Sequence, residues 1–248
     1  MSNSNLVNAS IIAYISFTFL FFVVKFRFFP KNNIFWILAF LAISCIVQTI
    51  QNISLTASPS MCGKPDIKMA LYSTVVPWVL VFALFIVAIT AIPGWVRVFS
   101  NTFGVYAAEA YGLKETLNMI MKKPDQPGTD PAYLQMLENI YSDRMALVLE
   151  LNIDDVKDGE VFDFPSLNKL VELKIIQGKL GQDGKPIYDA AVIPLYKDLY
   201  NALLLKENVG YFFWFLLIGI FCILVSTNSL LASTCTPSVM ANYGKIFK

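Results

Sequence analysis

The chain alternates between long uncharged apolar stretches and one long polar segment. The apolar stretches are Asn8–Val24, Ile34–Ile50, Met69–Ile92 and Val209–Leu231, and none of them contains Asp, Glu, Lys or Arg. A helix needs ~18–20 apolar residues to cross a ~30 Å hydrocarbon core, and a charge at its centre costs about 2.5–3.5 kcal/mol. The pattern therefore predicts an integral membrane protein with four transmembrane helices, the last two separated by a soluble insert.

The insert has sequence signals for both helices and strands. Apolar residues recur at helical spacing from Tyr133 to Leu151, and Pro194 suits the first turn of a helix that continues into the fourth span. The turn sequence from Gly181 to Gly184, lying between Leu173 and Val192, predicts a β-hairpin.

These signals together predict a mainly α membrane protein. Its bundle of four transmembrane helices takes helices one to three from residues 1–94 and helix four, with a C-terminal tail, from residues 208–248. Residues 95–207 form an interfacial helix and a small α+β soluble insert.

The segment that follows the third span has an apolar face of helical period. Such a face is typical of a helix lying in the membrane interface, and equally of a helix packed beneath a soluble domain. We favour the first, because the segment starts where the third span ends. The predicted membrane-interface residues are Trp95, Phe99, Phe103 and Tyr106.

The charged residues are unevenly distributed. Between Arg97 and Glu207 there are 12 basic and 17 acidic residues, whereas the rest of the chain has 7 basic residues and 1 acidic residue. A net acidic insert does not favour nucleic-acid binding. Basic residues between the first two spans (Lys25, Arg27, Lys31) place that connection and the insert on the cytosolic side, and both termini on the lumenal side. No basic residue precedes the first span, so we expect it to be retained as a signal anchor.

The cysteines agree with this topology. Cys45 and Cys222 lie within spans, where a thiol acts as a small apolar group. Cys62 and Cys235 both fall on the predicted lumenal side, so a disulfide between them is expected, with two unpaired thiols as an equal alternative. Asn8 and Asn52 each begin an N-glycosylation pattern on the same side.

The chain shows no recognisable catalytic chemistry. It contains no histidine, which removes the commonest general base and His-based metal sites. No phosphate-binding or nucleophile motif occurs. The acidic run Asp154–Asp163 does not fit a calcium loop, because Val156 and Pro165 occupy ligand positions. We therefore expect no enzymatic activity, no cofactor and no metal. The run is instead predicted to bind a protein partner through Asp154, Asp155, Asp158, Glu160 and Asp163.

One short block carries a resemblance to a known group. Residues 93–104, PGWVRVFSNTFG, follow the third span directly and resemble multi-span virion membrane proteins of icosahedral nucleocytoplasmic large DNA viruses, such as chlorella viruses. The four-span layout is also similar to tetraspanins, but the large loop lacks their Cys-Cys-Gly motif. The virion resemblance implies a minor capsid protein seated in an inner membrane derived from the endoplasmic reticulum. Its partners would be lipid and capsid proteins, and a homo-oligomer is also open.

Two other functions remain as alternatives. The chain is also compatible with an oligomeric channel or pore, or with a membrane adaptor that recruits a cytosolic partner through residues 97–207. Polar residues in the spans, such as Gln48 and Asn228, more often join helices than line a path, so the structural virion protein is the favoured interpretation.

Overall fold

The computed structural model describes residues 3–29, 34–92, 94–121, 131–142, 147–149, 151, 165–180, 186–187 and 191–233. Two compact units make up the chain. The first contains Met1–Trp95 and Phe212–Lys248, and the second contains Val96–Tyr211.

Four helices are long and apolar enough to cross a membrane: α1 (Asn3–Phe28), α2 (Ile34–Thr56), α3 (Ile67–Ala91) and α9 (Ile193–Ala232). Each contains one of the four predicted apolar stretches almost entirely, so this part of the prediction is confirmed. Large apolar side chains remain exposed along them, for example Phe19, Leu84 and Leu217. A helix that is apolar on its outer face as well as its inner face is typical of a membrane span, and the four helices are compatible with an integral membrane protein.

Aromatic side chains fill the interior of the first unit. Phe40, on α2, is fully buried, and its ring centroid lies 5.0 Å from that of Phe215 on α9 and 5.5 Å from that of Phe17 on α1. Trp78 and Phe82 stack on α3 with centroids 5.3 Å apart. Tyr14 donates a hydrogen bond to the backbone carbonyl of Phe215 at 2.6 Å. The buried aromatic rings therefore connect all four long helices.

The connection between α2 and α3 is held by capping bonds. Asp66 is the N-cap of α3, and its carboxylate accepts the backbone N–H of Met69 at 3.1 Å. The N–H of Asp66 in turn donates to the hydroxyl of Thr56 at 3.0 Å, at the end of α2. The first bond pairs a backbone N–H at the start of α3 that the helix leaves unpaired, and the second joins the connection to the last residue of α2.

The second unit is predominantly helical where it is described. It contains α4 (Gly94–Phe99, from Val96 onward), a π-helix (Ser100–Gly104), α5 (Val105–Ala110), α6 (Leu113–Ile120), α7 (Pro131–Ser142), α8 (Pro165–Glu172) and the start of α9. Two strands of two residues each, β1 (Lys179–Leu180) and β2 (Pro186–Ile187), pair antiparallel with Lys179 opposite Ile187. The predicted α+β insert is not confirmed, because the strand content of its described residues is this one short pairing and a bridge between Met121 and Ile176.

The predicted start of the hairpin is wrong for a local reason. Leu173 and Ile175 alternate around Lys174 as in a strand, but they form the C-terminal cap of α8. The N–H of Ile175 bonds to the carbonyl of Leu170 at 3.0 Å, and the N–H of Lys174 bonds to that of Val171 at 3.0 Å. Lys174 has a φ of 57°. These are the paired bonds and left-handed residue of a Schellman motif, which buries Ile175 as it ends the helix.

Candidate functional site

The segment from α4 to α5 has two faces of different character. Its inner face is buried and consists mostly of small residues, Val96, Ser100, Gly104, Val105 and Ala108. Its outer face exposes large side chains, with Val98 54%, Phe103 49% and Tyr106 71% exposed. The apolar face predicted from the sequence is therefore mainly the outer one.

The inner face lies against the backbone of α9. A Cβ atom added to Gly104 would overlap the carbonyl oxygen of Lys206, and one added to Gly210 would lie 2.8 Å from the Cβ of Ser100. Gly104 has an ordinary helical φ of −63°, so it is required for space and not for backbone freedom. Small residues four apart allow two helices to approach this closely, and the intervening π-helix is a type of distortion frequent at functional sites.

Only two of the four predicted interface residues stack on each other among the described contacts. Phe99 and Phe103 stack with centroids 6.2 Å apart. Trp95 belongs to the first unit. Its ring stacks on that of Trp214 with centroids 5.5 Å apart. The indole N–H of Trp214 also donates to the backbone carbonyl of Trp95 at 2.7 Å. Tyr106 is the most exposed of the four. An exposed aromatic face next to a span is suited to the membrane interface, where rings contact both lipid and water. The membrane-interface role of these residues stays a prediction.

Lys206 is a buried cation that sequence analysis missed. Its side chain is 2% exposed, and its ammonium group donates to the carbonyls of Val148 at 2.8 Å, Leu151 at 3.1 Å and Leu149 at 3.5 Å. The N–H of Leu151 bonds to the carbonyl of Leu147 at 3.2 Å, so these carbonyls end a short helical segment. A lysine there satisfies terminal carbonyls and complements the negative end of the helix. Nothing in the surrounding sequence distinguishes Lys206 from a surface lysine.

Gln177 forms hydrogen bonds to α6 and α9 of the second unit. Its backbone N–H donates to the carbonyl of Ile120 at 2.9 Å and its side-chain amide donates to that of Met119 at 2.9 Å. Its own carbonyl accepts the hydroxyl of Tyr196. The hydroxyl of Tyr133 bonds to the carbonyl of Lys174 at 2.6 Å, and burial raises the pKa of this tyrosine above its ordinary value.

A buried polar cluster connects three of the four long helices. The side-chain amide of Asn52 donates to the hydroxyls of Thr74 and Ser226, each at 2.8 Å, and its carbonyl accepts the amide of Gln48 at 3.1 Å. Asn52 is 2% exposed. Because both amide hydrogens are used inside the bundle, glycosylation of Asn52 is incompatible with this fold. Asn8 is exposed, and its glycosylation stays a prediction.

No family model, curated protein or solved structure matches this chain.

Several predicted residues fall outside the described part of the chain. The acidic residues expected to bind a partner, Asp154, Asp155, Asp158, Glu160 and Asp163, lie there, as does Cys235. Cys45 and Cys222 are free thiols. The pairing of Cys62 with Cys235 stays a prediction, because the second partner is not described. Among the described residues, no cluster of three or more His, Cys, Asp or Glu side chains is placed to hold a metal ion.

Proposed function

We propose that this chain is a structural virion membrane protein that links an inner membrane to the capsid shell. The observation that supports the proposal most is the attachment of the compact unit Val96–Tyr211 to apolar helices at both its ends, α3 before it and α9 after it. A unit attached twice is confined more closely than one on a single tether, because the second attachment acts at high effective concentration. Such confinement suits a spacer between a membrane and a protein layer.

In this proposal the exposed aromatic face of the unit contacts the lipid surface. Phe103 and Tyr106 project from a segment whose other face is packed tightly against α9. The close backbone contact at Gly104 sets which face of the segment points outward. In the proposed function it lies in the headgroup region of the cytosolic or capsid side, while both termini lie on the lumenal side.

The shell contact is assigned to the acidic run Asp154–Asp163. We expect it to meet basic or polar patches of neighbouring capsid proteins, and we expect no enzymatic activity from the chain. The viral assignment itself depends on the resemblance of residues 93–104, whereas the double attachment supports a membrane-anchored spacer of any origin.

Particle composition and geometry test the proposal. The wild-type protein is expected to co-purify with virus particles in a copy number that follows icosahedral symmetry. A double variant, Phe103→Ser with Tyr106→Ser, should still be incorporated but should make the shell-to-membrane distance more variable in cryo-electron microscopy. Lys114→Ser, at an exposed position of α6, is the matched control and should leave the distance unchanged. Absence of the protein from purified particles would overturn the proposal.

A further inference from the structure

A groove of about 310 Å³ opens between α1, α2 and α9. It lies beside the first turns of α1 and the last turns of α2, so it is near one end of the bundle. Its apolar lining includes Ala13 and Ile50, and its polar lining includes Ser10, Gln51, Asn52 and Thr227. The volume is at the lower end of the range for small-molecule sites.

The polar lining consists of neutral amides and hydroxyls. No Asp, Glu, Lys or Arg lines the groove among the described residues. A phosphate headgroup would therefore have no cation to offset the loss of its hydration. A hydroxyl group, which both donates and accepts hydrogen bonds, matches this lining.

Asn52 makes the polar side of the groove well defined. Its amide hydrogens are fixed by Thr74 and Ser226, and Gln48 uses one of the two lone pairs of its carbonyl oxygen. The second lone pair leaves acceptor capacity on a side chain that cannot rotate without breaking these bonds. A binding group held by its own network is already positioned for a ligand.

We propose that this groove binds the hydroxyl end of a sterol. The part of α1 that lines the groove, Val7–Ala13, is about 9 Å long at ~1.5 Å per residue. An extended lipid acyl chain spans the ~15 Å half-thickness of the hydrocarbon core, so it is longer than the groove. A rigid fused ring loses less conformational freedom on binding than a flexible chain does. The short groove with neutral polar lining therefore favours a sterol over a phospholipid or a diacylglycerol.

The inference rests on the membrane integration in the proposed function, but not on the tethering role. The full-length protein is reconstituted into phosphatidylcholine vesicles, and flotation after alkaline extraction first establishes integration. A diazirine-bearing sterol is then photoactivated, and the labelled peptides are mapped by mass spectrometry. Labelling is expected on Val7–Ala13 and Ile50–Leu55, with competition by excess unlabelled sterol.

Two variants and one matched control make the test specific. Ala13→Phe fills the groove and should reduce labelling about tenfold, the equivalent of about 1.4 kcal/mol. Gln51→Leu keeps the side-chain size but removes the amide, and should reduce labelling less. Ala83→Phe makes the same change at an exposed position of α3 outside the groove, and should leave labelling unchanged.

Three results would overturn the inference. Equal labelling by a diazirine phosphatidylcholine would mean that ordinary bilayer lipid fills the groove. Equal competition by diacylglycerol would mean that any neutral hydroxyl lipid binds. Sterol labelling spread evenly over all four long helices would mean that no site exists. Failure of the protein to float would instead contradict membrane integration, and with it the proposed function.

Discussion

At the level of single residues, Asn52 is a polar side chain with a structural role inside an apolar bundle. It lies on α2, and its side chain bonds to Thr74 on α3 and to Ser226 on α9. Polar residues that join helices inside an apolar bundle specify which helix faces meet, because a wrong pairing leaves the amide without partners. Asn52 therefore fixes the relative rotation of three helices.

Replacing Asn52 by Ala should destabilise the bundle measurably. Two interhelical hydrogen bonds are lost and Gln48 loses its acceptor, so we expect about 1–3 kcal/mol at ~0.6–1.7 kcal/mol for each bond. The free energy of unfolding is measured in mild detergent by steric trapping or denaturant titration. Thr49→Ala is the control, because the Thr49 hydroxyl bonds at 2.8 Å to Cys45 of its own helix. We expect it to change the unfolding free energy by less than about 0.5 kcal/mol. Equal effects of the two variants would contradict an interhelical role.

At the level of elements, the contact of the π-helix region with α9 depends on small residues on both sides. Ser100 and Gly104 face Gly210 and the backbone at Lys206. A close approach of two backbones brings many atoms into van der Waals contact, each contributing about 0.1–0.2 kcal/mol. The same closeness makes the contact intolerant of even one added methyl group.

We expect Gly104→Ala to cost about 1–3 kcal/mol, as overpacking of a tight contact does. The added Cβ would overlap the carbonyl oxygen of Lys206, which is backbone and cannot rotate away. Pulse proteolysis of the full-length protein in urea measures the stability of the insert. Gly94→Ala is the control, since a Cβ there meets nothing within 4 Å. If Gly104→Ala is as stable as Gly94→Ala, the close contact is not important for the unit.

The long spans could be predicted from sequence, whereas the packing of the insert could not. A span is specified by the composition of one continuous stretch, so α1, α2, α3 and the end of α9 were evident. The inner face of α4 to α5 is made of small residues, which the apolar periodicity does not mark, because that periodicity instead selects Phe103 and Tyr106 on the exposed outer face. The sequence around Lys174 alternates like a strand although it caps a helix, and the carbonyls that accept the ammonium group of Lys206 lie more than 50 residues before it in the chain. These features depend on neighbours distant in sequence.

At the level of the whole molecule, the chain forms two compact units whose surfaces differ in polarity. The helices of the first unit expose many large apolar side chains, which is compatible with contact with lipid. The insert contains 12 basic and 17 acidic residues between Arg97 and Glu207, which requires water. The chain leaves the first unit after α3 and returns to it through α9, so the insert is connected to the first unit at both of its ends.

Our last prediction is that the insert lies on the cytosolic side of the membrane. Basic residues near span ends are retained on the cytosolic side, and the first connection has Lys25 and Arg27 with no acidic residue. In a cysteine-free background, Lys114→Cys should react with a membrane-impermeant maleimide from the cytosolic side of sealed vesicles. Ser60→Cys, an exposed position between α2 and α3, should react only from the lumenal side. Both should react after detergent permeabilisation, which controls for local accessibility. Reaction of Lys114→Cys from the lumenal side alone would reverse the topology, and a shell-facing insert would then be impossible on the cytosolic side of the membrane.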